Sequence, residues 1–157
     1  MSEPKLSIEL IPSTSFYINL RSFLSAGKWR KLRAIQLEKA KYKCEICDKI
    51  PKGKGPRQLE CHETWEFDEI NFIQKLTGLI ILCPTCHSVK HFGFTLNQTK
   101  GNPVAAIRKL MIINKWDDDQ TAKYIEEKFK QWAERSTHPW KMDYTWLEKI
   151  PVIEKVI

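Results

Sequence analysis

A single α+β domain is the fold class this sequence predicts, and three observations carry it. Two strand-like runs, Gln58 to Trp65 and GLIILC at 78–83, occupy the middle of the chain. Capped stretches with helical apolar spacing flank them on both sides. Two C-x-x-C pairs, Cys44 with Cys47 and Cys83 with Cys86, bracket the strands and point to a small centre closed by metal.

Taken in order, Leu6, Ile8 and Leu10 alternate as in a short strand that stops before Pro12. Ser25 reads as the N-cap of a helix running to about Lys39, with Trp29, Leu32, Ile35 and Leu37 as its apolar stripe. The glycines and prolines of DKIPKGKGPR then make a loop before the first strand. The amphipathic stretch from Glu66 to Thr77 is either a long hairpin connection or a short helical insertion. HSVKHFG after Cys86 starts a helix ending by Gly93, with His87 and His91 one turn apart on one face. Asn102 followed by Pro103 opens another helix through VAAIRKLMII. A last helix begins at Asp117, Asp118 and Asp119, whose charges suit the positive end of its dipole, and is expected to bury Ala122, Ile125, Phe129 and Trp132. Trp140, Met142 and Tyr144 alternate with Lys141 and Asp143 as in an edge strand. Three regions result within 1–157: a basic strand and helix segment at 1–41, a cysteine-bracketed core at 42–93, and a helical extension with its edge strand at 94–157.

A chain of 157 residues, 42% apolar and 11% aromatic, can bury a sizeable core and is too apolar for disorder. No apolar run approaches the roughly 18 residues that a membrane-spanning helix needs. The opening MSEPKLSIEL lacks the basic, apolar and small-residue regions of a secretory signal, so the cysteines are expected in a reducing cytoplasm. Disulfides are then disfavoured, and paired cysteines read as metal ligands. Cys44, Cys47, Cys83 and Cys86 have the knuckle spacing of a closed, structural Zn²⁺ site, whose binding should be coupled to folding.

Net charge is +7, and it is uneven: between Arg21 and Arg57 twelve Lys or Arg face three Asp or Glu. Such a segment can neutralise backbone phosphates, which makes Lys39, Lys41, Lys43 and Lys52 candidate nucleic-acid contacts. The bland reading is a solvated helix face. Trp65 and Phe67 read as core or cover, the stripe of Ile125, Phe129 and Trp132 as packing, and His138 beside Pro139 as a surface or packing residue.

The order YKCEIC, LECHE, LIILCPTCHSVKH resembles the zinc-ribbon type of HNH endonuclease, a ββα-metal family, over about residues 42–93. The flanks IPSTSFYINLRSFLSAGKWRKLR and DYTWLEK extend the likeness to short stand-alone proteins of that kind. The resemblance implies an HNH-like ββα-metal centre flanked by helices, a DNA substrate with RNA left open, and phosphodiester hydrolysis assisted by a divalent ion. It places His62 on the general base and His87 on a ligand of the ion, with His91 in reserve and Lys90 toward a backbone phosphate. One base and one ion cut one strand at a time, so cutting both would need a homodimer or two events, and a partner subunit could supply specificity.

Two positions depart from the family pattern: Cys61 stands where Asp is usual before the first histidine, and Gly78 where the middle Asn is usual. Alternation sends Leu59 and Cys61 to one face and Glu60 and His62 to the other, so Cys61 reads as a small core residue, and Glu60 or Glu63 as the source of a carboxylate. Oxygen ligands would suit Mg²⁺ or Mn²⁺, whereas a nitrogen-rich set leans toward another transition metal. LECHETW therefore has three readings. His62 is the base, with His87 and a glutamate holding the ion; or His62 and His87 both ligate while Glu63 activates water. In the third, only the scaffold survives, as a zinc-stapled nucleic-acid binding or protein-interaction module.

Overall fold

The computed structural model describes residues 2–16, 18–53, 58–97 and 102–150, and it is α+β as expected. Residues 54–57 of the predicted loop lie outside these. Two helices come first, α1 (Leu20–Phe23) and α2 (Ala26–Lys39). Ser25 caps α2 by accepting from the Lys28 N–H, as its sequence position predicts. The hairpin of β1 (Glu60–Asp68) and β2 (Ile73–Leu82) follows, then α3 (Pro84–Lys90), α4 (Phe92–Asn97), α5 (Pro103–Asn114) and α6 (Asp118–Arg135). Strand β3 (Lys141–Asp143) joins β2 in parallel, giving the sheet order β1-β2-β3. Among the described residues, no helix is long and apolar enough to cross a membrane.

Both strands run further than their sequence pattern indicates, and no helical insertion lies between them. The cause is a β-bulge: Thr64 pairs with Gly78 but Trp65 pairs with Leu76, leaving Thr77 as the extra residue. A bulge shifts the alternation by one, so the stretch loses its strand-like period while staying in the ladder. Asp68 then closes the turn by accepting from the Ile70 and Asn71 N–H groups.

The bulge also keeps one sheet face continuous. Leu59, Cys61 and Ile81 pack with Leu37 and Ala40 near the end of α2. Beyond it Trp65, Leu76 and Leu79 join Leu20, Leu24, Leu32 and Leu147. The larger core gathers Leu6, Ile8, Leu82, Val89, Phe92, Ala106, Leu110 and Tyr124.

Two expectations from the sequence are corrected. Leu6 to Leu10 belongs to no sheet among the described residues. Its backbone is held by isolated bonds instead: Asn114 bonds both the N–H and the carbonyl of Leu6, the Tyr124 hydroxyl accepts from the Ile8 N–H at 3.0 Å, and the Glu9 N–H donates to the Lys90 carbonyl. Leu6 and Ile8 are buried, and at about 1.5–3 kcal/mol per side chain their burial can keep the segment docked without a ladder. On α6, Ala122 is exposed and the inward positions are Thr121 and Tyr124, with Ile125 and Phe129 beside them. Tyr124 takes the inward place because its hydroxyl has the Ile8 backbone to satisfy it. Trp132 donates its indole N–H to the Ile11 carbonyl, and His138 stacks on Phe72.

Candidate functional site

Two clusters of metal-ligating side chains meet on α3. The first is Cys44, Cys47, Cys83 and Cys86, whose sulfurs all lie within 4.8 Å of one another. Cys44 follows the end of α2 through Lys41 and Tyr42, both in the left-handed region, and the turn closes with Asp48 N–H donating to the Cys44 carbonyl. Cys83 is the N-cap of α3, its sulfur accepting from the Cys86 N–H. Glu45 pins the first knuckle to β2, since its N–H donates to the Ile81 carbonyl and its carboxylate accepts from the Ile81 N–H at 2.6 Å.

A tetrahedral Zn–S distance of about 2.3 Å implies sulfurs about 3.8 Å apart. Cys47 and Cys83 are separated by 3.7 Å, and all the cysteines are free thiols. Hydrogen bonds from Cys83 and Cys86 pull the Cys44 thiol far below its ordinary range, while the hydrogen bonds with Cys44 and Cys83 push Cys86 up. Four thiols so close could hold a structural zinc ion. Lys109 of α5 stands by them: burial alone would lower its pKa, but its hydrogen bond to Cys47 and the nearby thiol charges raise it overall. A lysine there would offset part of the negative charge of a tetrathiolate.

The second cluster is His62, His87 and His91, with ligand nitrogens also within 4.8 Å of one another. His62 comes from β1 and is only 5% exposed, while His87 lies on α3 and His91 is its C-cap. Ring centroids are 4.6 Å apart for His87 and His91, 4.8 Å for His62 and His91, and 5.4 Å for His62 and His87. Burial, with the neighbouring His91 and His62, lowers the His87 pKa to about 3; burial and His62 lower that of His91 to about 4. Both imidazoles are neutral at pH 7 and keep a lone pair for a metal ion.

These shifts have a direction in stability. The unfolded chain takes protons on these two histidines near pH 6.5, while the folded one refuses them until about 4 and 3. The metal-free histidine cluster should therefore destabilise the fold as pH falls below about 6.5, with the loss complete near 3. Melting temperature from pH 8 to 4, with the cysteine site loaded, checks this; His87→Ala with His91→Ala should flatten the slope, and an unchanged slope would place the acid sensitivity elsewhere.

Glu63 and Glu60 do not join the histidines. The Glu63 carboxylate lies with Cys61 on the α1–α2 side, accepting from the Leu20 N–H at 2.6 Å, and burial raises its pKa. Glu60 is exposed. Burial pushes the Cys61 thiol up to about 12, which suits a core residue and not a metal ligand. Lys90, expected toward a phosphate, is 5% exposed and turned inward. Lys39, Lys41 and Lys52 are exposed, and Lys43 pairs with Asp48 at 3.1 Å. Gly78 pairs with Thr64 at the bulge.

The carboxylate at the histidines is Glu9, whose Oε2 lies 2.7 Å from His62 Nε2 while its Oε1 accepts from Lys90 Nζ at 2.8 Å. Lys90 Nζ also donates to the Ser7 hydroxyl at 2.7 Å. Burial alone would raise the Glu9 pKa, but the hydrogen bond from His62 and the charge of Lys90 outweigh it, and the net shift is downward. Its signal in the sequence was the alternation of Leu6, Ile8 and Leu10, which turns Ser7 and Glu9 to the opposite side. No protein-family model, curated protein or solved structure matches the chain.

Proposed function

We propose that the protein is a metal-dependent endonuclease of the HNH type, hydrolysing phosphodiester bonds in DNA. The observation that carries this reading is the convergence of His62 with His87 and His91 beside a four-cysteine site, on a hairpin followed directly by a helix. That chain order is the one a ββα-metal centre uses. His87 and His91, on consecutive turns of one helix, would hold a divalent ion, and His62 would take the proton of the attacking water. A bound divalent ion would supply polarisation of the scissile phosphate and stabilisation of the leaving oxygen. Nitrogen donors favour Mn²⁺, Co²⁺, Ni²⁺ or Zn²⁺ over Mg²⁺.

Plasmid nicking by purified protein in Mg²⁺, Mn²⁺, Ni²⁺ or EDTA tests the proposal, with His62→Ala alongside. Metal-dependent nicking that vanishes in the variant supports it, and no nicking in any metal by folded, zinc-loaded protein counts against it.

The position of the basic segment favours a second reading. Helix α2 covers the sheet face that carries Cys61, opposite the one that carries His62. A nucleic acid bound along α2 would need to wrap the hairpin to reach the histidines, whereas a zinc-stapled binding module would need no such path. Neutralising Lys39, Lys41, Lys43 and Lys52 together is expected to weaken DNA binding and to reduce the slope of log K against log salt by about 0.9 for each phosphate that the protein no longer neutralises. A binding isotherm series between low and moderate salt measures it, and an unchanged slope would move the nucleic-acid surface off this segment.

A further inference from the structure

Glu9 makes contacts that a plain ion pair with Lys90 would not require. Its two oxygens are divided, Oε2 to His62 Nε2 and Oε1 to Lys90 Nζ, so the carboxylate cannot turn without breaking a charged contact. Its backbone N–H donates to the Lys90 carbonyl at 3.0 Å, tying the same residue to the end of α3 between His87 and His91. Just before it Leu6 and Ile8 are sunk in the core, and just after it Leu10 packs against that core, which holds the segment in place. A carboxylate accepting from Nε2–H leaves Nδ1 as the nitrogen with a lone pair and fixes the ring about the remaining axis. Both needs of a reactive histidine, one tautomer and one orientation, are met by a residue from outside the hairpin and helix.

We propose that Glu9 is a positioning residue: anchored by Lys90 and Ser7, it sets the tautomer and orientation of His62 against His87 and His91. This rests on the reading of His62 as the reactive imidazole. It makes the N-terminal segment part of the site, so that residues 42–93 alone would hold the ligands without the group that aims His62.

The test uses the full chain, zinc-loaded at the cysteines, as wild type, Glu9→Gln, and Glu9→Gln combined with Lys90→Met. The double variant removes the buried Lys90 charge together with its half-buried Glu9 partner and keeps the comparison open if the single variant fails to fold. Imidazole nitrogen NMR should show wild-type His62 as the Nε2–H tautomer with a strongly hydrogen-bonded proton, and both variants should lose that signal or mix tautomers. Nicking kcat should fall about 10- to 100-fold in the variants with KM for DNA unchanged, the range seen when a carboxylate behind a site histidine is removed. His62 as the Nδ1–H tautomer in wild type, or kcat and the proton signal both unchanged in the variants, would overturn the role of Glu9. If His62→Ala is inactive while Glu9→Gln keeps full activity, the nuclease reading stands and the positioning role falls. If wild type does not nick at all, the nuclease reading falls, and the tautomer of His62 still decides whether Glu9 sets it.

Discussion

Replacing Cys83 with serine, or stripping metal with a strong chelator, is expected to abolish cooperative unfolding. The four cysteines join the end of α2 to the junction of β2 and α3, and Cys44, Cys83 and Cys86 belong to the same core as Leu82, Val89 and Phe92. Besides that core, the first knuckle is tied to β2 by the paired backbone and carboxylate bonds of Glu45 to Ile81. A structural zinc contributes on the order of 10–16 kcal/mol in small zinc-dependent domains, while a domain is stable by only about 5–15 kcal/mol. Losing a zinc bound there would cost about as much as a whole domain's stability. Metal analysis should find one tightly bound zinc per chain. Less than half an equivalent in folded protein, or a melting curve unmoved by chelation, would sink the structural role.

His62→Ala should behave in the opposite way, keeping the fold while losing the nicking that the nuclease proposal expects. Its ring is bounded by Glu9, His87 and His91, and its deletion leaves Glu9 Oε2 short of one partner while Lys90 still neutralises the carboxylate. One lost part-buried hydrogen bond costs about 1–3 kcal/mol, less than the roughly 5–15 kcal/mol by which a domain is stable. A positioned general base contributes about 10²–10⁴ in rate, so nicking per folded molecule should fall by that factor. Circular dichroism and zinc content establish folding in the same samples. Nicking at the wild-type rate would remove His62 from the reaction.

Much of the local structure is legible in the sequence. Caps mark their helices because a side chain must satisfy the first free N–H groups: Ser25, Asn102 and Asp117 each accept one. The cysteine cluster is legible because two tight knuckles have a fixed spacing, and so is the helical juxtaposition of His87 and His91. The strand ends are not, because Thr77 bulges out and breaks the period that a pattern relies on. Nor is the inward face of α6, where Tyr124 rather than Ala122 is buried because a backbone group waits for its hydroxyl.

The sequence by itself determined which residues could hold a metal ion: four thiols in two knuckles and three histidines, two of them one helical turn apart. Only the tertiary structure decided their company. Glu63 and Glu60, adjacent in sequence or nearly so to His62, are absent from the histidine cluster, since strand alternation and solvent took them elsewhere. Glu9, 53 residues upstream of His62, lies against it because the burial of Leu6 and Ile8 carries the segment across α3. Local spacing is set by backbone geometry within a turn or strand, and the chain can display it directly. Which distant carboxylate faces an imidazole is set by where apolar side chains find a core, and that is resolved only when the whole chain folds.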